Sequence, residues 1–543
     1  MNKNLLTLAL MPLAFVSTTS IASEEHDPAE IAIGERLFLE TRFSQAYFAN
    51  SNASDPGLDR TITIADPLPG AFAGQTINCR ACHMVDEFAD KGQNPVGGMR
   101  SYADFARRSP VPQRKDGQIF TPRNSMSMLN ISRGAYSDDV DDALFHHDGQ
   151  FNSMADLVTA TLTGRNFGWL PGEAKKAITH IASVIRSDDG KGELAKEFGG
   201  SYKKILSATD GSIPAEFKLN KEFAVDVDKA SDEQLVSAVA NIISAYVTDL
   251  AFSKNENNEY DGSAYDLFLQ KNKLPRQPAK GESKKKYSHR LIKAVNKLQQ
   301  PLFVKASERK LNTHAKSFGF GEKELQGMKL FFRKASSKQN GGNCVSCHAA
   351  PDFSDFKFHN TGLSQVNYDN MHGGGAFAKL KIPTLDERNR NYNRYLPATE
   401  QHPQASSRYR QVAQANKPGV VDLGLWNVFD NEDMPAPQKK IHRILCQQAS
   451  EQNKSCSDQQ LLDLSIAAFK TPVLRDLEHS GPYFHNGEAA SLRETLALYQ
   501  FSRSRAAQTA FRNLSPQMQH IVLNNDDVEN LLAFLLSLNE DYD

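Results

Sequence analysis

Four of the six cysteines in this 543-residue chain stand in two copies of one short pattern. The pattern is C-x-x-C-H, present as CRACH at residues 79–83 and as CVSCH at residues 344–348. At this composition a chance match has a frequency of roughly 0.002 per chain, so two matches need a common cause. Two thiols followed directly by an imidazole are typical of covalent c-type haem attachment, in which the cysteines form thioethers and the histidine binds the iron. The predicted attachment residues and proximal ligands are Cys79, Cys82, His83, Cys344, Cys347 and His348.

Zinc binding and dithiol redox chemistry are the alternative interpretations of these cysteine pairs. Neither requires a histidine directly after the second cysteine in both copies, so covalent haem is favoured. The remaining two cysteines, Cys446 and Cys456, are not followed by histidine. We predict that they form a structural disulfide that pins an insertion over residues 430–465.

The first 22 residues have the composition of an export signal. Lys3 precedes an apolar run from Leu5 to Val16, and a small-x-small cleavage sequence ends at Ala22. The run is short for a membrane-spanning helix, so a retained anchor is the less favoured alternative. We therefore expect export, with a Gram-negative periplasm as the destination. That compartment is oxidising, which suits a disulfide.

Length and charge limit the class of protein. Lys and Arg number 63 and Asp and Glu number 64, and this balance argues against a general nucleic-acid binder. A chain of 543 residues is too long for one hydrophobic core, so two or more domains are expected.

An internal duplication organises the elements that must position the two motifs. Each motif follows a short amphipathic helical pattern and precedes a Thr-Pro segment and a turn, His-Asp-Gly at 147–149 or His-Asn-Gly at 485–487. Ser153 and Ser491 follow these turns as predicted helix N-caps. A capping box at Ser231–Gln234 begins an amphipathic helix of about five turns, and few segments alternate at period two. The fold class is therefore predicted to be mainly α.

The two motifs, the duplication, FHNTG at 358–362 and TPVLRDLEHSGPYFHNG at 471–487 give the sequence a likeness to a known family. It resembles the bacterial diheme cytochrome c peroxidases, in particular the MauG-like branch. The resemblance implies two cytochrome c-like domains related by internal duplication, with helical insertions and two covalently bound haem c groups. It also implies that hydrogen peroxide reacts at the N-terminal haem. The C-terminal haem would relay or store electrons from a small donor protein such as a c-type cytochrome.

Four segments follow from the resemblance and the sequence pattern. They are a signal peptide at 1–22, an N-terminal haem domain at 23–255, a basic linker or helical insertion at 256–320, and a C-terminal haem domain at 321–543. The basic stretch at 271–290 is interpreted as a solvated linker or surface arm. No nucleic-acid partner and no stable membrane insertion are expected after signal cleavage.

The resemblance also assigns the axial ligands beyond the two proximal histidines. The peroxidases place a distal methionine fourteen residues after the PYFH histidine, and this position is Tyr499 here, as in the MauG-like branch. Phenolate favours ferric iron and lowers the reduction potential relative to a thioether. Met434 and Met518 are the alternative ligands. At the first haem, the position of the blocking histidine of many peroxidases is Asp116, so we expect a site open to peroxide. His146 and His147 are the alternative blocking residues.

Peroxide cleavage needs a group that takes a proton from one oxygen and returns it to the other. By resemblance, Glu173 or His147 is the expected group, and Arg165 would polarise the peroxide. His147 also stands where the family usually has a tryptophan between the haems.

The family binds a calcium ion between its domains, and the matching ligands here are three oxygens. They come from the side chain of Asn124 and the backbone carbonyls of Ser480 and Pro482. The alternative is that Asn124 caps a turn.

Three function classes stay open. The first is a periplasmic diheme peroxidase, and the second is a MauG-like enzyme that uses peroxide to oxidise aromatic residues of a partner protein. The third is a non-enzymatic diheme electron-transfer cytochrome, which requires both irons to be six-coordinate.

Overall fold

The structure is a computed structural model that describes residues 27–50, 78–79, 82–83, 111, 113–136, 140–309, 318–508 and 511–540. The predicted signal peptide at 1–22 lies outside these residues. Among the helices of the described residues, none is long and apolar enough to cross a membrane.

Helices dominate the described residues, as predicted. They are α1 (Ala29–Phe38), α2 (Gln45–Asn50), α3 (Met154–Leu162), α4 (Ala174–Ser187), α5 (Glu193–Glu197), α6 (Tyr202–Ser207), α7 (Asp232–Asp249), α8 (Ala264–Lys271), α9 (Lys284–Val295), α10 (Glu322–Phe332), α11 (Leu363–His372), α12 (Leu385–Arg390), α13 (Tyr392–Tyr395), α14 (Gln438–Glu451), α15 (Asp458–Ser465), α16 (Leu492–Gln508) and α17 (Asn525–Leu536). Two short antiparallel strands, β1 (Phe358–His359) and β2 (Phe469–Lys470), pair with Phe358 opposite Lys470. The mainly α fold class is confirmed.

The first core cluster joins α1, α3, α4 and α7. The predicted capping box begins α7, since Ser231 Oγ accepts from the Gln234 N–H at 3.2 Å and Gln234 Oε1 accepts from the Ser231 N–H at 2.8 Å. Helices α1 and α7 cross at Gly34, where a Cβ atom would lie 2.6 Å from the Ile242 carbonyl oxygen. The crossing therefore needs glycine. The most deeply buried members of the cluster include Ile33, Leu37, Phe38, Trp169, Ile181, Tyr202, Leu235, Val239 and Ile242.

The second core cluster joins α8, α9, α10, α16 and α17. Its centre is a group of aromatic rings packed edge to face, for which the Tyr265–Phe353 and Phe331–Phe534 centroid distances are 5.4 and 5.3 Å. Its buried members include Tyr265, Phe268, Tyr287, Leu291, Val295, Met328, Phe331, Phe353, Leu531 and Phe534.

The segment from 264 to 295 packs into this second cluster. Tyr287 and Leu291 are fully buried, although three lysines precede them at 284–286. The interpretation of 271–290 as a solvated linker is therefore wrong for α9. Lys285 and Lys286 are exposed, whereas Lys284 pairs with the buried Asp352 at 2.8 Å, and apolar residues at helical spacing bury the inner face of α9.

The third core cluster is built by α11 to α15, with Trp426 and Tyr409 fully buried at its centre. The segment predicted as an insertion at 430–465 supplies α14 and α15. Cys446 and Cys456 form the predicted disulfide, with a Cα–Cα distance of 5.0 Å, which joins the C-terminal half of α14 to the segment that connects it to α15. The other buried members of the third core cluster include Phe358, Tyr368, Phe377, Tyr395, Leu425, Phe429, Ile441 and Leu461.

The duplicated turns have the same backbone form in both halves. His146 and the equivalent Phe484 both have left-handed φ angles, 67° and 69°. Ser153 and Ser491 then cap α3 and α16, as predicted, because their hydroxyls accept the backbone N–H groups of the residues three positions on. The turn and the helix N-cap of the two repeats are therefore alike in structure as well as in sequence.

Candidate functional site

The first motif presents its histidine from a tight turn. The His83 N–H donates to the Cys79 carbonyl at 2.8 Å, and the ring Nδ1 lies 2.9 Å from the Met126 carbonyl oxygen. Because a carbonyl only accepts, Nδ1 must carry the proton, and the lone pair of Nε2 is then available to iron. Burial lowers the pKa of His83 to about 4, so the imidazole is neutral at pH 7. Neutral imidazole is the form that ligates metals.

The second motif repeats this arrangement. The His348 N–H donates to the Cys344 carbonyl at 2.8 Å, and Nδ1 lies 3.0 Å from the Phe353 carbonyl oxygen. Burial lowers the pKa of His348 to about 4 as well. Both proximal candidates therefore have the same tautomer and the same protonation state.

The thiols also fit haem attachment. Cys79, Cys82, Cys344 and Cys347 carry free thiols, and burial raises the pKa of Cys79 and of Cys344 to about 12. In each half, two thiols and one imidazole therefore lie in the same turn. This donor set fits a covalent haem c in both copies, with iron bound through Nε2 of each histidine.

Tyr499 lies on α16 next to the second motif. Burial, and then the thiols of Cys344 and Cys347, raise the pKa of Tyr499. The side chain packs against the second core cluster, which also contains Met518, whereas Met434 belongs to the third. The structure therefore brings Tyr499 to the C-terminal motif, as a ligand of the second haem requires.

Glu173 and Arg165 are each held by an ion pair to one loop, at 113–118. Arg114 donates to both Glu173 carboxylate oxygens at 3.0 and 3.1 Å, and the Leu170 N–H donates to Glu173 at 2.8 Å. Arg165 Nε donates to Asp116 at 2.7 Å. The residue that replaces the expected blocking histidine, Asp116, is therefore paired with the predicted peroxide-polarising arginine.

A buried group of charges joins the two halves, and the sequence analysis missed it. Arg123 donates from Nε and Nη2 to the Asp422 carboxylate at 2.6 and 2.9 Å, and from Nη1 to Asp148 at 2.5 Å. Arg410 lies 3.3 Å from Asp148. Burial alone would raise the pKa of both aspartates, but Arg123 and the other polar neighbours together lower it. We call Arg123, Asp148, Asp422 and Arg410 the junction cluster.

His147 lies beside the junction cluster. Its Nε2 lies 3.0 Å from the Asn124 carbonyl oxygen, and its own carbonyl accepts from the Lys470 N–H at 2.7 Å. Burial lowers the pKa of His147 to about 4. His147 thus lies between the two halves. Glu173 and Arg165 lie elsewhere and are fixed by ion pairs to the loop at 113–118.

The predicted calcium ligands are partly brought together. Asn124 Nδ2 donates to the Pro482 carbonyl at 2.6 Å, and Ser480 lies two residues earlier in the chain. Asn124 Oδ1 is buried, and within the described residues it has no hydrogen-bond partner. Turning the amide by 180° would direct Oδ1 to the Pro482 carbonyl, and two such oxygens are ligands that Ca²⁺ prefers.

The described residues thus form a mainly α chain that carries two C-x-x-C-H motifs. No protein-family model matches it. A stretch of 71 residues is 42% identical to the methylamine utilization protein MauG of Methylophilus methylotrophus, covering 13% of this chain and 20% of MauG. A stretch of 73 residues is 32% identical to the cytochrome-c peroxidase IdrP1 of Denitromonas iodatirespirans, covering 13% of this chain and 18% of IdrP1. The chain thus spans about a fifth of the length of these relatives.

Two solved structures are similar over most of the chain. One is a MauG-like protein associated with microbial copper homeostasis, with a TM-score of 0.44 and 16% identity over 95% of this chain and 90% of that chain. The other is the diheme peroxidase BthA from Burkholderia thailandensis, with a TM-score of 0.44 and 15% identity over 95% and 87%. The two sequence matches show local similarity to MauG and to a cytochrome-c peroxidase, over 71 and 73 residues of this chain.

Proposed function

We propose that this protein is a periplasmic diheme c-type peroxidase-like oxidoreductase. It reacts with hydrogen peroxide at the N-terminal haem, and its C-terminal haem relays or stores electrons from a small donor protein. The observation that carries the proposal is the matched pair His83 and His348, each fixed through Nδ1 by a main-chain carbonyl so that Nε2 is available. Bound at these motifs, haem would supply the redox-active iron. The disulfide Cys446–Cys456 supports an oxidising compartment.

The residues around the loop at 113–118 would position the groups that act on peroxide. Asp116 orients the Arg165 guanidinium, and Arg114 orients the Glu173 carboxylate. Glu173 would take a proton from one peroxide oxygen and return it to the other. Because Asp116 stands at the position of the family's blocking histidine, we infer that peroxide can reach the N-terminal haem.

The junction between the halves would set the path for electrons. His147 is neutral at pH 7 and is held through its ring and its carbonyl. Arg123 forms ion pairs with Asp148 of the first half and with Asp422 of the second half. These pairs link the half that contains the first motif to the half that contains the second. A calcium ion at Asn124, Ser480 and Pro482 would reinforce the same contact.

The haem content and spin states test the proposal. The purified, exported protein should give two haems per chain in the pyridine haemochrome assay. Electron paramagnetic resonance of the ferric form should show one high-spin and one low-spin haem, and peroxide consumption should depend on a reduced c-type cytochrome. Two low-spin haems without peroxide consumption would instead establish the electron-transfer cytochrome.

Substitution of Glu173 tests the proton-transfer role. We expect Glu173→Gln to lower the rate of peroxide consumption by about 10²–10⁴-fold. Glu197→Gln, on the exposed surface of α5, is the matched control and should leave the rate unchanged. An equal loss in Arg114→Gln would show that positioning of Glu173 is also required. An unchanged rate in Glu173→Gln would remove this residue from the mechanism.

A second candidate is the oxidation of aromatic residues in a partner protein, and the placement of Tyr499 beside Cys344 and Cys347 favours it. A phenolate ligand would disfavour ferrous iron and so stabilise an oxidised second haem. Tyr499→Met should therefore raise the reduction potential of that haem in a spectroscopic redox titration. Mass spectrometry of peroxide-treated partner candidates would separate this function from donor-dependent peroxide removal.

A further inference from the structure

A group of metal-ligating side chains lies in the third core cluster, and the proposed peroxidase chemistry does not use it. One donor atom from each of His402, Glu432 and Asp433 lies within 4.8 Å of the other two. His402 Nδ1 lies 2.8 Å from Asp433 Oδ2, and the Thr399 hydroxyl donates to the same carboxylate oxygen. Asp433 and His402 are half-buried, with the Asp433 side chain 5% exposed, and Glu432 is exposed. The group is therefore open to solvent on one side only.

Tyr392 supplies a second, independent observation. Its ring stacks on the His402 imidazole, with a centroid distance of 3.8 Å and an interplanar angle of 14°. The side chain is 5% exposed, and among the described residues its buried hydroxyl has no hydrogen-bond partner. The hydroxyl lies close to the Asp433 carboxylate, the Thr399 hydroxyl and Asn431, but it makes no well-aligned hydrogen bond with any of them. A phenol oxygen without a partner thus lies beside the same carboxylate, and an unsatisfied buried hydroxyl is costly.

We propose that His402, Glu432 and Asp433 bind a divalent first-row transition cation, with Zn²⁺ as the best fit, and that the Tyr392 oxygen completes or supports its coordination. Zinc binds imidazole nitrogen and carboxylate oxygen at about 2.0–2.2 Å, which places neighbouring ligand atoms about 3 Å apart. The 2.8 Å spacing of His402 Nδ1 and Asp433 Oδ2 is that of a direct hydrogen bond, so a bound cation would replace the shared proton and move these two atoms slightly apart. Calcium fits less well, because it takes six to eight oxygen ligands and here one ligand is an imidazole.

The site lies at a contact with the first half of the molecule. Two residues before His402, Glu400 accepts the Gly172 N–H at 2.9 Å, and Pro403 packs against Gly172. Gly172 is in the loop that carries Glu173. A cation bound at His402 would therefore stiffen the segment that contacts this loop.

Calorimetric titration of the full-length, haem-loaded protein with ZnCl₂ tests the proposal. Calcium should be present throughout, so that oxygen-only sites are filled. We expect one saturable Zn²⁺ site, with binding weakened by about tenfold or more in His402→Gln and in Asp433→Asn. The matched controls are His289→Gln and Asp386→Asn, which change exposed residues on α9 and α12 and should bind as the wild type does.

Two further measurements keep the test decisive where a variant loses stability. X-ray absorption at the zinc edge should show one imidazole among nitrogen and oxygen ligands, and the haem irons do not contribute there. Zn²⁺ should also raise the Tm of the wild type and of His289→Gln but not of His402→Gln. Absence of saturable Zn²⁺ binding, unchanged affinity in both site variants, or selective Ca²⁺ binding at these residues would each overturn the proposal.

Discussion

The two haem motifs have the same turn but differ in what orients their histidines. The His348 ring is held by the carbonyl of Phe353, five residues along the chain. The His83 ring is held by the carbonyl of Met126, 43 residues away. The second proximal site is thus built locally, whereas the first depends on the placement of a distant loop.

That loop is in turn fixed by the C-terminal half. Arg123 binds Asp422, and the Asn124 N–H donates to the His485 carbonyl at 2.8 Å. Met126 follows within two residues of Asn124. The orientation of the first histidine therefore depends on how the halves assemble, and the orientation of the second does not. Changes at the junction should act on the first haem before the second.

The largest expected effect is on haem content. The double variants Cys79→Ala/Cys82→Ala and Cys344→Ala/Cys347→Ala should each lower the pyridine haemochrome yield from two haems per chain to one. The optical and resonance spectra of the remaining haem would then assign each signal to its motif. Retention of two covalent haems in either variant would contradict the attachment sites.

The junction gives the next largest effect. Arg123→Gln leaves the buried Asp422 carboxylate without its cation and leaves Asp148 with Arg410 alone. The variant should lower the free energy of unfolding by about 3–5 kcal/mol, measured in urea. It should also alter the resonance signal of the first haem and leave that of the second unchanged. The matched control is Arg475→Gln, which breaks the buried Arg475–Asp266 pair in the second core cluster. The control should cost similar stability without a selective change at the first haem.

A smaller effect concerns pH. Burial lowers the pKa of His146 to about 3, so between pH 6.5 and 3 the unfolded chain binds a proton at this residue and the folded chain does not. His146 therefore makes stability fall as pH decreases through that window, by up to about 1.4 kcal/mol per pH unit. The second turn has Phe484 at the equivalent position. His146→Phe should flatten the dependence of the unfolding free energy on pH between 6.5 and 4, and an unchanged slope would contradict the assignment.

The smallest effect should be equal in the two halves. Ser153→Ala and Ser491→Ala each remove one N-cap hydrogen bond and should each cost about 1 kcal/mol in urea unfolding. Glycine at either position should cost only a few tenths of that amount. A clear inequality between the two alanine variants would show that the capped helices differ in their contribution to stability.

Local features of the fold could be predicted from the sequence. The caps at Ser153, Ser491 and Ser231 depend on residues three positions apart, and the mainly α class follows from helical periodicity. The pairing of Cys446 with Cys456 was also accessible, because the other four cysteines were already assigned.

Long-range features could not be predicted. Arg123 and Asp422 are 299 residues apart, and no local pattern connects them. The basic composition of the stretch before Tyr287 led to the prediction that it is exposed to solvent. Only the helical spacing of Tyr287, Leu291 and Val295 indicates that one face of this helix is buried. The ion pairs of Glu173 and Arg165 join two loops, which periodicity does not describe.

The guanidinium of Arg123 has a consequence for the engineering of this chain. A gene cut between the repeats would leave Arg123 paired only with Asp148 in one fragment and would place Asp422 in the other fragment without Arg123. Neither fragment could restore the missing partner by itself. Dissecting the protein into single-motif modules should therefore fail unless the buried charge of Asp422 is removed from the second fragment.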